Sequence, residues 1–254
     1  ILTFTLSAQK PNFEWANQIG GPTGWTMENS VTTDNNGNIY TTGIFDYTVD
    51  FDPGVGIATL TTNGYKDIFI QKIDSSGNFL WVRQIGGTNN DHGFSIATDS
   101  IGNIYSTGNF RNTVDFDPGV GTYYLTSNGD SDIYIQKLDA NGNFVWAKQM
   151  GGSSVDRGAF IDIDGNGNIH TTGIFADTVD FDPGLGTSFL ISDGHNMFIQ
   201  KLDSNGNFLW AKQTGGNGKA TGSCINIDDN GNVFTTGSFN NTVDFDTGIG
   251  TTLL

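Results

Sequence analysis

The chain has 254 residues, with 36 Gly but only 5 Pro, 36% hydrophobic and 15% charged residues, which is enough apolar material for a core and too little charge for a coiled coil or long-helix protein. Its formal net charge of −16 argues against nucleic acid or anionic membrane surfaces as partners. The single Cys224 excludes a disulfide framework and a multi-Cys metal cage, and no apolar run exceeds four residues, so no membrane span fits.

In chain order, Ile1–Trp15 matches Asp67–Trp81 in length, so the chain opens on what reads as the third and fourth strands of a unit. No Met and no basic segment precede Ile1, and any signal peptide is expected to be already absent. A first hairpin follows, turning at Asp34-Asn-Asn-Gly37-Asn38, then an insert beginning Thr48-Val-Asp-Phe51. The runs Asp67–Asp74 and Phe79–Gln84 are rich in β-branched and aromatic residues and read as strands joined by a second turn at Asp74.

The same order then recurs. F-x-W-[AV]-x-Q-x-G-G carries Trp15, Trp81, Trp146 and Trp210, and Thr-Val-Asp-Phe begins at 48, 113, 178 and 242. A D-x-x-G-N signature begins at Asp34, Asp74, Asp99, Asp139, Asp164, Asp203 and Asp228. Asp caps such a turn, and Gly takes its left-handed position. An eighth copy is expected at Ala8–Asn12, where the text has degenerated.

The periodicity predicts an all-β fold, a β-propeller of four blades of about 65 residues, each of antiparallel strands. Each insert should add a short hairpin. Residues 1–254 form one domain, its last blade shared between 1–19 and 220–254. Ring closure then needs residues near 1–8 to pair with 232–239, a latch that removes both free edges. A fragment of a larger ring is the alternative.

The joint text D-x-x-G-N-[IV]-Y-x-T-G, T-V-D-F, S-D-I-F-[IV]-x-K-[LI]-D-x-x-G-N and W-A-K-Q-x-G-G resembles the SBBP family of bacterial beta-propeller repeats, in all four copies. The first copy lacks the D-I-F-I-Q-K segment, and Asn196 stands where Asp67 and Asp132 stand. The resemblance implies a propeller in a secreted or cell-surface protein, commonly one domain of a longer chain. It brings no catalytic residue or ligand.

The insert motif D-F-D-P-G places Asp50 with Asp52, Asp115 with Asp117, Asp180 with Asp182 and, with Thr replacing Pro, Asp244 with Asp246. On an extended segment each pair faces one side. Two readings stand. Paired carboxylates beside Gly carbonyls suit calcium. Asp before Pro-Gly is also ordinary turn chemistry, and charges about 6.6 Å apart repel by only about 0.6 kcal/mol in water, so no metal is needed to hold them there.

The repeated Trp residues read as blade core. Trp25 has no counterpart, its equivalents being Asn90, Val155 and Lys219. It leads the candidate ligand-binding residues on the face that carries the loops between strands two and three and between blades: Trp25, Met27, Glu28, Asp91, His92, Asp156, Arg157 and Lys219. That face is expected to be acidic and to bind a glycan or protein, neutral or cationic ligands being favoured. No nucleophile elbow, phosphate loop or selected carboxylate pair is present. The expected function is therefore a noncatalytic extracellular scaffold or recognition module, a monomeric domain; the alternatives are a secreted carbohydrate-active enzyme and a structural spacer.

Overall fold

In the computed structural model of the protein the described residues are 12–21, 23–216, 218–248 and 250–254. They form eighteen strands and their turns, without a helix. The first copy gives β1 (Trp25–Thr33), β2 (Ile39–Asp46), β3 (Thr48–Asp50), β4 (Thr59–Thr61), β5 (Asp67–Ile73) and β6 (Phe79–Ile85). The second gives β7 (His92–Thr98), β8 (Ile104–Phe110), β9 (Thr113–Asp115), β10 (Tyr124–Thr126), β11 (Asp132–Leu138) and β12 (Phe144–Met150). In the third, β13 (Arg157–Ile163) and β16 (Phe208–Thr214) flank β14 (Ile169–Asp180) and β15 (Phe189–Leu202), which run on into the insert; β17 (Lys219–Ile227) and β18 (Val233–Asn240) belong to the fourth.

Three four-stranded antiparallel sheets result, ordered β1-β2-β5-β6, β7-β8-β11-β12 and β13-β14-β15-β16, followed by the pair β17-β18. The insert hairpins are present as β3-β4 and β9-β10. In all seven D-x-x-G-N turns the Gly has φ between 76° and 88°, and the Asp Oδ1 accepts backbone N–H groups two and four residues on, as Asp34 does from Asn36 and Asn38. The turn residues are therefore dictated by backbone geometry and side-chain capping.

The second strand of each sheet is buried from end to end or nearly so, as Ile104–Phe110 is. Aromatic residues of the insert close each sheet from outside: Phe51 lies against Phe45 and Phe69, Phe116 against Phe110 and Tyr134, and Phe181 against Phe175 and Phe198.

The repeated Trp residues are not deep core. Trp15, Trp81 and Trp146 lie at the seam between one sheet and the next, where the ring covers the glycine turn of the neighbouring sheet, and Trp210 meets His170 of its own sheet edge-on. Trp81 sits over Gly142 and Trp146 over Gly206, each also meeting a Tyr of its own sheet edge-on, Tyr40 and Tyr105. Cations pin the same turns: Lys72 Nζ donates to Ala140 O at 3.2 Å, Arg83 Nε to Gly142 O at 2.9 Å and Lys137 Nζ to Ser204 O at 3.1 Å.

The expected closure is not seen. β1 packs on β7, β7 on β13 and β13 on β17, but no comparable packing joins β17 to β1 among the described residues. The fourth strand expected through Trp15 is not formed: residues 12–19 have no ladder partner. Trp15 Nε1 nevertheless donates to Ser75 O and Asn17 Nδ2 to Gly77 O, so Trp15 covers Gly77 as Trp81 covers Gly142. The expected pairing of residues 1–8 lies outside the described residues. The outer edge of β18 has no partner among them.

Candidate recognition cleft

Every inner strand carries a β-bulge at one repeat position. The ladder skips Asn29 between Glu28 and Ser30, Phe94 between Gly93 and Ser95, Ala159 between Gly158 and Phe160, and Ser223 between Gly222 and Cys224. The cause lies in the second strand. Gly43, Gly108, Gly173 and Gly237 face the carbonyls of Met27, His92, Arg157 and Thr221, and a Cβ on any of them would lie within 2.0 Å of that oxygen. The bulge re-aims a side chain that the fold does not constrain, and its identity differs in every copy.

Between the second and third sheets this exposes a cleft of about 300 Å³, lined by Asn90, His92, Phe94, Asn109, Arg111, Ser131, Val155, Arg157 and Ile174. It opens at the start of β7 and the end of β8, on the face opposite the D-x-x-G-N turns. His92 and Phe94 lie parallel, with ring centroids 5.7 Å apart and 2° between planes. Arg157 crosses from the third sheet, its Cζ 5.2 Å from the Phe94 centroid. Arg111 pairs with Asp130 at 3.1 Å at the exposed rim, a bond worth little in water. Burial first, and then the charges of Lys66, Arg111 and Arg157, hold His92 below its ordinary 6.5, so it is neutral at pH 7. Its Nδ1 is buried without a partner.

Of the eight residues singled out as ligand-binding, the structure brings only His92 and Arg157 into one cleft. Asp91 and Asp156 are corrected: both are fully buried. Asp91 accepts N–H bonds from Gly87 and Arg111, and Asp156 from Gly152 and Ala176. They fix the loop ends, and Asp91 positions the Arg111 backbone. Burial pushes both up to about 6, against those same hydrogen bonds.

Trp25 begins β1 on the neighbouring sheet, 39% exposed, with Lys66 Nζ 5.1 Å from its ring centroid. Met27 and Glu28 are exposed on that same strand. Lys219 begins β17, exposed, at the far side of the third sheet. The expectation of an acidic binding face is also corrected at this cleft, where the net charge of the chain gives way to two guanidinium groups. Phe94, Asn109 and Arg111 were missed. The signal that finds them is the Gly of each T-G pair in strand two, which forces the bulge.

The insert aspartates sit elsewhere, at the outer rim. Asp50 Oδ1 accepts from Asp52 N and Ala58 N, and Asp52 Oδ1 from Gly54 N. Asp115, Asp180 and Asp244 repeat the first pattern, and Asp117, Asp182 and Asp246 the second. The carboxylates organise their own loops. No group of three or more His, Cys, Asp or Glu residues is arranged to hold a metal among the described residues. Clefts of about 740, 360 and 350 Å³ form where an insert leans on the preceding outer strand. They place Lys212, Lys148 and Arg83 on the wall opposite Asp244, Asp180 and Asp115. They are the same seam built three times from the same residue types.

Four-stranded antiparallel sheets joined by capped hairpins, stacked sheet on sheet with an insert on each, define a beta-propeller-type repeat protein. Residues 14–43 and 80–109 match the model of the SBBP beta-propeller repeat, so the chain carries repeats of that family. Its similar relatives include an uncharacterized WD repeat-containing protein of Acanthamoeba polyphaga mimivirus, 29% identical over 233 residues, or 79% of this chain and 16% of that protein. The regulatory protein FlaEY of Caulobacter vibrioides is 25% identical over 144 residues, 57% of this chain and 15% of that protein. The chain therefore spans about a sixth of the length of these curated relatives.

Proposed function

We propose that the chain is a noncatalytic recognition module that binds a glycan or a protein through its loop face, in an extracellular or cell-surface setting. The observation that carries this reading is the cleft between the second and third sheets. It is built at a bulge every copy has, from side chains that, Ile174 apart, no other copy repeats. Residues that hold the repeat together recur; these do not, and loops on a rigid frame are where binding residues gather. The two carboxyl groups beside it with raised proton affinity, Asp91 and Asp156, are enclosed and spent on backbone N–H groups, which supports binding over acid–base chemistry. A glycan array probed with the whole chain tests the reading. Binding that falls when His92 or Arg157 is replaced supports it, and a blank array with no cleft-dependent protein partner refutes it.

In the same reading, residues 1–19 and β17-β18 form the two halves of a fourth sheet, making 1–254 one domain of four repeats. The support is Trp15 on Gly77, in the place a fourth strand of the preceding sheet would occupy. The separation of β1 from β17 favours a second reading, in which further repeats complete a larger ring. Deleting residues 1–19 distinguishes them. A loss of stability centred on β17-β18 supports closure by this chain, and an unchanged pair supports the larger ring.

A further inference from the structure

Two of the chain's three arginines, Arg111 and Arg157, line one cleft of about 300 Å³ in a molecule of net charge −16. Lys66 adds a third positive charge felt at His92. Carboxylates outnumber cations by 27 to 11 in this chain, yet Arg157 has no carboxylate within 4.0 Å among the described residues. Its guanidinium makes no hydrogen bond to them either; it is held by the Phe94 ring. A planar cation kept on an aromatic face loses little freedom on binding and keeps its donor fork for a bidentate partner. The remaining wall offers the side-chain amides of Asn90 and Asn109 and the half-buried ring of His92. The repeat does not require this arrangement: Asp46, Ala176 and Asn240 stand where Arg111 stands, and Met27 and Thr221 where Arg157 stands.

We propose that this cleft is an anion-binding site for the carboxylate or phosphate group of a small ligand of monosaccharide size, held by the Arg157 guanidinium with Arg111 at the rim and His92 and Asn109 on the wall. This rests on the recognition reading and names the ligand class for it. It reverses the preference for neutral or cationic ligands that the net charge alone implies, because the Arg157 guanidinium has no carboxylate within 4.0 Å among the described residues, Arg111 keeps Asp130 at the rim, and acids farther off than a Debye length of about 8–10 Å are screened.

The test is a titration of the full chain, followed by NMR of the His92 imidazole and the arginine Nε–H groups, with glucuronate, inorganic phosphate and neutral glucose as separate probes. Saturable shifts with glucuronate or phosphate but not glucose are expected. Arg157→Ala should weaken the binding by roughly tenfold or more, the worth of a charge-assisted hydrogen bond, and Arg157→Lys should retain part of it. Response to glucuronate alone assigns a carboxylate, to phosphate alone a phosphate ester. Arg157 is exposed, so the variants are expected to fold, and unchanged amide spectra elsewhere check this. The proposal is overturned if neither anion shifts these signals, or if Arg157→Ala binds as the parent does. A neutral glycan found on the array without an anion response would keep the recognition reading and remove this one.

Discussion

The Cα of Gly108 lies so close to the carbonyl of His92 that a Cβ built on it would stand 1.8 Å from that oxygen. This contact in β8 holds the bulge in β7 and so aims Phe94 and His92 at the cleft. Gly108→Ala must displace backbone, and a loss of roughly 2–4 kcal/mol is expected from such an overlap in a buried strand, together with altered ring-current shifts at His92. Gly165, with nothing within 4 Å of its Cβ position, is the control. Gly165→Ala should change stability by about 0.5 kcal/mol at most. Equal denaturant midpoints for the two variants would contradict the account.

The seam tryptophans and Trp25 should behave oppositely. Trp146 packs on Tyr105 and covers Gly206, so Trp146→Ala opens a void between two sheets and should cost about 2–4 kcal/mol. Trp25 is 39% exposed under Lys66, and Trp25→Ala should cost about 1 kcal/mol or less. In fluorescence, losing Trp25 should remove a red-shifted component accessible to iodide. A blue-shifted, protected loss would place the ring in the interior.

The enclosed acids and the turn acids should respond to pH in opposite senses. Burial pushes Asp91 and Asp156 up to about 6 from an ordinary 3.8. Between those values the folded chain holds protons that the unfolded chain has released, so their contribution to stability falls as pH rises through that window. The turn aspartates behave oppositely. At Asp34, Asp139, Asp164 and Asp203 burial acts upward but the hydrogen bonds of the turn outweigh it, and at Asp74 and Asp228 the Asn side-chain bond leads; all six lie below 3.8. Their contribution is present above 3.8 and is lost as pH falls through their folded values. His92 and His170, held below 6.5 chiefly by burial, act against Asp91 and Asp156. The share of those two acids is therefore read as the difference in melting temperature between the parent and Asp91→Asn or Asp156→Asn, which should change between about pH 7 and about pH 5, while the parent should lose stability below about pH 4. A difference that stays constant over that range would show that Asp91 and Asp156 are not enclosed in solution.

Chelator should leave the melting curve unchanged, since the insert carboxylates are satisfied by their own loops. Asp115 Oδ1 accepts from both Asp117 N and Tyr123 N, so Asp115→Ala leaves two N–H groups without that acceptor and should cost roughly 1–3 kcal/mol, with or without calcium. Stabilisation by calcium that disappears in Asp115→Ala would restore the metal reading.

The repeat was legible in the sequence, and so were the strands from Trp25 onward, the seven capped turns and the insert hairpins β3-β4 and β9-β10, because these elements depend on residues close to one another along the chain. The Asp, Gly and Asn of each turn name their own hydrogen bonds. What failed depends on neighbours far along the chain. Asp91 and Asp156 looked like free acids on a variable loop, yet their partners Arg111 and Ala176 are 20 residues away. Arg157 and Phe94 are 63 positions apart in sequence, and only the stacking of two sheets joins them. The Trp motif was recognised, but its partner is a glycine in the following copy, so it fastens sheets together and does not fill one.

Because each sheet is fastened only to its neighbours, the chain should melt as a row of coupled segments, with protection greatest in the middle. Cys224, the only thiol, lies in β17 beside β18, whose residues are largely exposed. Its labelling rate should report fraying of the last pair while amide exchange in β8 and β14 stays slow, so the wild-type chain carries its own gauge of how far the loosening of one end propagates toward the cleft.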